Sequence, residues 1–478
     1  MLSSAALAGC GKREPEAVNV VVIGEDPPAL TDAFSGPLSP PRQVAMESLG
    51  QGLVRFDPRG EIVPGLAERW NVSDDGLSYI FRLGSAKWPD GRAIRARDVA
   101  RLLERQLKPG SKNDLKDTLG AVQDIVAMTD RVIEIRLVAP RPHLLQLLAQ
   151  PEMGILREGR GTGPFTIDES QPDRDWQALS YHKSVIDGPD IREHIRLRSA
   201  GAKQAVAMFT AGDAGLVIGG TFSDLPHARQ TAAVSKALHF DPVAGLFGLV
   251  PLRDSGPFGT VKARQLLSRA IDRQALVEVF DVPGLTPRTT LLQSGLEGIA
   301  IVAGEGTPPS DPKAFRAALA AEGRSVFGDK VPTVRVRLPE GPGAELLLQR
   351  LKIDWGPLGV RVERAQKGGG ADFLLVDAVA PSASAAWFVR RFRCSMGPIC
   401  VKEADTLMDS ARLATVADQR IAFLAEAARL LEEGAAFIPI AAPIRWSLVS
   451  DGLPGFVENI RARHPLVGLG TRPSRQGN

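Results

Sequence analysis

Gly52-Leu53-Val54-Arg55-Phe56-Asp57-Pro58-Arg59-Gly60-Glu61-Ile62-Val63-Pro64-Gly65-Leu66-Ala67-Glu68-Arg69-Trp70-Asn71-Val72-Ser73-Asp74-Asp75-Gly76-Leu77 reads as short strands joined by tight turns. Asp57-Pro58-Arg59-Gly60 sets Pro where a turn needs its fixed φ and Gly where φ is free to be positive. Asp74-Asp75-Gly76 makes a second turn before the alternating strand Leu77 to Leu83, and Pro89-Asp90-Gly91 makes a third. Asp98 to Leu107 then changes period: Val99, Leu102, Leu103 and Leu107 share one helical face, and Pro109-Gly110 ends it. Arg131 to Leu137 returns to strand alternation.

The 478 residues around this block suit two or three domains. Hydrophobic residues at 44% and charged residues at 24% exclude a disordered, collagen-like or multi-span membrane chain. The net charge of +3 lacks the basic excess of a nucleic-acid binder. Aromatic residues are sparse at 5%, although binding clefts commonly use them.

Val18 to Ile23 reads as a first buried strand, and Asp372 to Val376 is another. Val261 to Phe280 has the spacing of one amphipathic helix. Pro312 to Glu322 reads as a helix with Ser310 and Asp311 as possible caps, Pro at its first turn and Gly323 as its stop. Strands at Thr333 to Leu338 and Val360 to Glu363 flank a helix from Ala344 to about Trp355. Val416 to Glu433 is helical and closed by Gly434, with final strands at Phe437 to Ile440 and Trp446 to Val449.

Catalytic constellations are missing from the pattern. There is no nucleophile elbow and no phosphate loop. His143, His182, His194, His227, His239 and His464 are scattered, with no pair at metal-ligand spacing. The expectation is a protein without catalytic residues, metal or cofactor.

Met1 to Gly9 is uncharged and ends in Leu7-Ala8-Gly9-Cys10. The order resembles the bacterial lipobox, in which the Cys becomes the new N-terminus and takes up acyl chains. That makes Cys10 the expected lipidation site and Gly11 to Glu16 a tether, with a start upstream of Met1 left open. Several acyl chains anchor stably where one is marginal. The other reading is an ordinary chain terminus. Cys394 and Cys400 flank the turn-forming Gly397-Pro398, so a disulfide is expected in an oxidising compartment. Two free thiols are the alternative, and a metal site lacks further ligands.

The block Gly52 to Leu77 strongly resembles the periplasmic solute-binding proteins of ABC importers that take up dipeptides, oligopeptides and nickel (bacterial extracellular solute-binding protein family 5). So do Lys87-Trp88-Pro89-Asp90-Gly91-Arg92, Gly161-Thr162-Gly163-Pro164-Phe165, Ala270-Ile271-Asp272-Arg273, Phe437-Ile438-Pro439-Ile440 and Leu453-Pro454-Gly455-Phe456-Val457, in family order. The resemblance implies an α/β, two-lobed periplasmic-binding-protein fold with an additional small domain inserted in the first lobe. Residues 1–17 would be signal remnant and tether; 18–45, 162–255 and 441–478 lobe one; 46–161 the insert; and 256–440 lobe two. It implies a small-molecule or peptide ligand held between the lobes, permease subunits of an ABC importer as partners, and a monomer in the periplasm or cell envelope without nucleic acid. A ligand-sensing or structural envelope protein on the same fold is the competing reading.

Peptide-binding relatives commonly carry Gly-Trp and an ammonium-gripping Asp after the strand that ends at Val376. Here the segment is Asp377-Ala378-Val379-Ala380-Pro381-Ser382-Ala383-Ser384-Ala385-Ala386-Trp387-Phe388, without the Gly-Trp and with no acid after Asp377. The ligand-binding candidates are Phe34, Ser35, Phe247, Asp377, Trp387 and Phe388. Trp387 and Phe388 would stack on the ligand or pack beneath the loop. Asp377 would anchor a cation or cap a strand end. Phe34 and Ser35 would approach the cleft or form a plain loop, and Phe247 would reach the ligand or sit in the core. Arg390 and Arg391 would meet an anionic group or form a solvated face.

Overall fold

The computed structural model describes residues 17–184, 190–230, 232–293, 295–297, 299, 311–328 and 331–470. Cys10 lies outside the described residues. The chain opens with β1 (Val18–Ile23), a 3-10 turn at Ala33–Ser35 and α1 (Pro40–Leu49). The turn-rich block contains β2 (Val54–Phe56), β3 (Ile62–Pro64), β4 (Ala67–Val72), β5 (Ser78–Leu83), α2 (Ala96–Leu107), β6 (Val122–Thr129), β7 (Val132–Leu137) and α3 (Leu144–Leu148). Then come β8 (Phe165–Ile167), β9 (Gln177–Lys183), β10 (Ile191–Ala200), α4 (Ala202–Ala211), β11 (Leu216–Thr221), α5 (Leu225–Ala228), α6 (Ala232–Lys236) and β12 (Leu238–Phe240). The last part holds β13 (Gly245–Pro251), α7 (Val261–Ala270), α8 (Arg273–Phe280), α9 (Pro312–Phe327), β14 (Thr333–Arg337), α10 (Pro342–Trp355), β15 (Arg361–Arg364) and β16 (Phe373–Val379). It ends with α11 (Ala385–Arg390), α12 (Lys402–Leu413), α13 (Ala417–Glu433), β17 (Ile438–Ala441) and β18 (Arg445–Val449).

The largely apolar β1 becomes a central strand with parallel neighbours on both sides, β10 and β11. It lies in a seven-stranded sheet of order β12-β18-β11-β1-β10-β9-β8. A five-stranded sheet, β15-β14-β16-β13-β17, forms the second layer system. Residues 241–244 and 442–444 carry the chain between the two sheets. One apolar cluster links them, from Val21 and Trp446 to Phe247, Phe373 and Trp355.

The turn-rich block has its own core under the four-stranded sheet β4-β5-β7-β6. Burial alternates along β5 and β7, so Phe81, Ile133 and Ile135 face inward while Ile80 faces out. Gly163 explains the Gly-Thr-Gly-Pro-aromatic turn. A Cβ there would stand 2.3 Å from the Ser48 carbonyl oxygen at the end of α1, closer than any side chain tolerates.

The expected single helix from Val261 to Phe280 is two. Ile271 is extended (φ −71°, ψ 117°), and the Asp272 side chain accepts from Ala275 N, so it caps a new helix. The periodicity survives the break because both helices bury their apolar faces in one cluster. Of the two offered caps Asp311 serves α9, accepting from Lys313 N and Ala314 N at 2.9 Å. Gly323 does not stop the helix, which runs on to Phe327; it is buried there, where a Cβ would stand 2.5 Å from the Leu358 carbonyl oxygen.

Candidate functional site

The first site-building contact lies where the sheets meet. β18 leaves the second crossing and begins with Arg445, which pairs with Thr221 of β11. Arg445 Nη1 donates to Asp377 Oδ1 at 2.8 Å, and Nη2 reaches the Asp377 carbonyl at 3.3 Å. Burial pushes the Asp377 carboxyl above its ordinary pKa; Arg445 pulls it down and Asp224 adds to the rise. Asp224 itself accepts from Thr221 Oγ1 at 2.9 Å. Beside them the Trp446 ring lies flat on Gly220, where a Cβ would come within 2.1 Å of it, and its Nε1 donates to the Thr221 carbonyl.

A second set of contacts forms a seam between the turn-rich block and the loops and helices after β16. Gln150 Nε2 donates to the Pro381 carbonyl at 2.8 Å, and Ala383 N donates to Gln146 Oε1 at 3.1 Å. Arg141 Nη2 donates to the Arg412 carbonyl at 2.6 Å, and Arg390 Nη1 donates to the Asp117 carbonyl. His143 Nε2 lies 3.8 Å from Glu297 Oε1, and both oxygens of that carboxylate also accept from Arg420. A cavity of about 40 Å³ remains at this seam, with room for one small group.

The six candidate residues fall in three places. Phe34 and Ser35 form the 3-10 turn: Ser35 is exposed, and the Arg105 guanidinium lies 4.5 Å over the Phe34 ring. Phe247 and Asp377 are register partners in the β13–β16 ladder. Phe247 is 1% exposed, with Phe222 4.9 Å away edge-on, so its ring meets solvent only after rearrangement. Trp387 and Phe388 are adjacent on α11 with perpendicular rings 5.0 Å apart. Phe388 is wholly enclosed, whereas Trp387 is 7% exposed and covered by the Arg391 guanidinium at 4.8 Å.

Cys394 and Cys400 are joined in a disulfide between α11 and α12. Among the described residues no group of His, Cys, Asp and Glu is arranged to hold a metal ion, and no helix is long and apolar enough to cross a membrane.

The sequence pattern described as "Bacterial extracellular solute-binding proteins, family 5 Middle" matches residues 61–369. The chain belongs to this family. The resemblance seen in the turn-rich block is therefore a true kinship, and the family is one of solute binders rather than enzymes. A probable di/tripeptide-binding protein 5 of Pseudomonas aeruginosa is 23% identical over 96% of this chain and 94% of its own length. Among solved structures, the murein tripeptide binding protein MppA of Escherichia coli superposes with a TM-score of 0.78 at 17% identity, covering 94% of this chain and 97% of its own. OppA of Haemophilus influenzae, in complex with RPPGFSPFR, superposes at 0.76 and 17% identity over 96% of this chain and 99% of its own. The fold of this family 5 chain is thus the two-lobed α/β fold that its motif order implied.

Several groups at the seam escape sequence reading. Gln146, Gln150 and Arg141 lie in α3 or beside it, an ordinary apolar segment, and their partners are more than 230 residues away. Arg445 carries no motif. Only Arg390 was legible, as one of two adjacent cations with Arg391 that would meet an anionic group or form a solvated face.

Proposed function

We propose that this family 5 protein is an extracytoplasmic lipoprotein that captures a peptide or peptide-like solute between its lobes and delivers it to an ABC importer. We take the seven-stranded sheet as lobe one, the turn-rich block as its insert and the five-stranded sheet with α7 to α13 as lobe two. The observation that carries the reading is the pair of chain crossings at 241–244 and 442–444, set against the polar seam around Gln150 and Pro381. Two short connections permit hinge rotation, and a seam of single hydrogen bonds separates at modest cost. A solute that contacts both sides then biases the molecule toward the closed form.

The kinship supports peptides as the first solutes to test, since its relatives include a probable di/tripeptide-binding protein and a murein tripeptide binding protein. A cavity of about 40 Å³ at the seam is too small for a dipeptide, so capture requires the lobes to part first. Of the candidates, Phe34, Ser35 and Trp387 are assigned to the solute-facing surface. Phe247 and Phe388 are assigned to the support behind it, and Asp377 to the contact between the sheets. Cys10 is assigned to the lipid anchor.

Isothermal titration with a panel of di- and tripeptides tests capture, with small-angle scattering on the same samples. The expected result is a peptide that binds and reduces the radius of gyration. A panel that neither binds nor compacts the protein overturns peptide capture. Intact-mass analysis of the protein from its native host tests the anchor: the expected N-terminus is an acylated Cys10.

A further inference from the structure

The polar seam is closed by the protein's own side chains. Gln146 and Gln150 stand four positions apart at the end of α3, and they engage two main-chain groups after β16. Gln150 Nε2 donates to the Pro381 carbonyl at 2.8 Å, and Gln146 Oε1 accepts from Ala383 N at 3.1 Å. One amide supplies a donor and the other an acceptor, so the pair satisfies both kinds of backbone group. Gln150 is 3% exposed, and Ser382, between the two engaged residues, is 1% exposed. Arg463 Nη2 donates to Gln150 Oε1 at 3.2 Å, which leaves the Nε2 end to face Pro381. The Arg463 carbonyl in turn accepts from Asn459 Nδ2 at 2.7 Å, and Asn459 N donates to Asp241 Oδ1 at 2.9 Å, at the start of the first chain crossing.

The two walls of the seam are anchored in separate cores. Leu144, Leu147 and Leu148 of α3 are buried in the core of the turn-rich block, whereas Ala380 and Ala385 belong to the apolar cluster of α11 to α13. The two glutamine contacts therefore form only when these walls meet, and they break when the walls part. Two other bonds cross the seam, from Arg141 Nη2 to the Arg412 carbonyl and from Arg390 Nη1 to the Asp117 carbonyl. They draw guanidinium groups together around a cavity whose lining holds a single carboxylate, that of Glu297. Repulsion in this partly desolvated space offsets part of what those bonds contribute. The glutamine amides are uncharged and carry no such cost.

We propose that Gln146 and Gln150 form an autoinhibitory latch, which holds the lobes together before a solute arrives. The inference rests on the two-lobe reading above and adds a control on entry to it. A seam cavity of about 40 Å³ does not admit a dipeptide, so a solute enters only those molecules whose latch is open. The apparent affinity is reduced by that open fraction, and weakening the latch raises it.

The test compares the full wild-type chain with two variants. Gln146→Leu/Gln150→Leu removes both contacts without changing the charge. Gln150→Glu keeps an acceptor for Arg463 but loses the donor to Pro381, and it decides the question of shape if the double variant fails to fold. Radius of gyration without solute is the first readout, and titration with tri-alanine is the second. Both variants are expected to have a larger radius of gyration than wild type. The double variant is expected to bind tri-alanine about tenfold more tightly. Variants no larger than wild type overturn the latch. So does a double variant whose measurable affinity for tri-alanine is unchanged or weaker, since the amides would then serve the solute-bound form. If peptides bind wild type while the shapes are equal, capture stands and only the latch fails. If the variants expand but no peptide of the panel binds, the latch stands and peptide capture fails.

Discussion

Arg445 Nη1 lies 2.8 Å from Asp377 Oδ1, so the first residue of β18 in one sheet grips the middle of β16 in the other. Their side chains are 17% and 13% exposed, and the pair stands beside the second chain crossing. Asp377 is thereby already occupied as an anchor. Any solute cation would have to displace a guanidinium that is fixed by the backbone of a neighbouring strand.

Removing Arg445 leaves the Asp377 carboxylate largely buried without its main countercharge, and Asp224 adds repulsion. Arg445→Ala is expected to destabilise the protein by about 3 kcal/mol in urea unfolding. Asp377→Ala in the same background should recover part of that loss, because the unpaired charge is then gone. An Arg445→Ala protein within about 0.5 kcal/mol of wild type would show that the pair is too hydrated to matter.

Phe247 packs against Phe222 at 4.9 Å and Phe280 at 6.5 Å, in a cluster shared by both sheets. Phe247→Ala removes a fully enclosed ring and leaves a cavity, which costs about 3–5 kcal/mol. The same applies to Phe388→Ala, at 0% exposure. Trp387→Ala should cost less stability than either and should weaken solute binding more. Denaturation and peptide titration on the three variants separate the effects. A Phe247→Ala protein of unchanged stability and lost affinity would move Phe247 into the solute-facing surface.

The disulfide closes a short loop, with Cys394 and Cys400 six positions apart. Constraining so small a loop stabilises by about 2 kcal/mol through the unfolded state. The double variant Cys394→Ser/Cys400→Ser is expected to lose that amount. Wild type in reductant should match it, and the variant should ignore reductant. A reductant effect on the variant would place the sensitivity elsewhere.

Elements with strong local signals were legible. β1 and β16 announce themselves by their clustered apolar residues, β5 and β7 as alternations, and the start of α9 by Ser310-Asp311 followed by Pro312. The break between α7 and α8 was hidden, because Asp272 continues the polar face of an apparent single helix while its side chain caps a second one. The seam was not legible at all. Gln146 meets Ala383 and Gln150 meets Pro381 only through tertiary packing, and no periodicity encodes a partner that distant. Arg390 was visible as a cation. Its convergence with Arg141, Arg412 and Arg420 depends on how three helices and a loop pack.

Glu47 offers a test at the other end of α1. Its Oε1 is buried without a hydrogen-bond partner, and Arg463 Nε stands 3.7 Å away. Burial pushes its carboxyl above the ordinary 4.5; Arg463 opposes the rise and Glu152 adds to it. The folded protein therefore holds this proton more tightly than the unfolded chain does. Its contribution to stability is present below about pH 4.5 and is lost as pH rises through the folded-state value. Glu47→Gln cannot ionise and escapes that loss. Arg463 is not stranded by the change, because Gln43 and Gln150 still accept from it at 2.8 and 3.2 Å. The variant should thus match wild type near pH 4 and exceed it near pH 7, with the difference growing across the weakly acidic range. Urea unfolding at intervals between those values measures it. A difference that stays flat or reverses would mean that Arg463 holds Glu47 ionised, and that its coulombic pull outweighs burial.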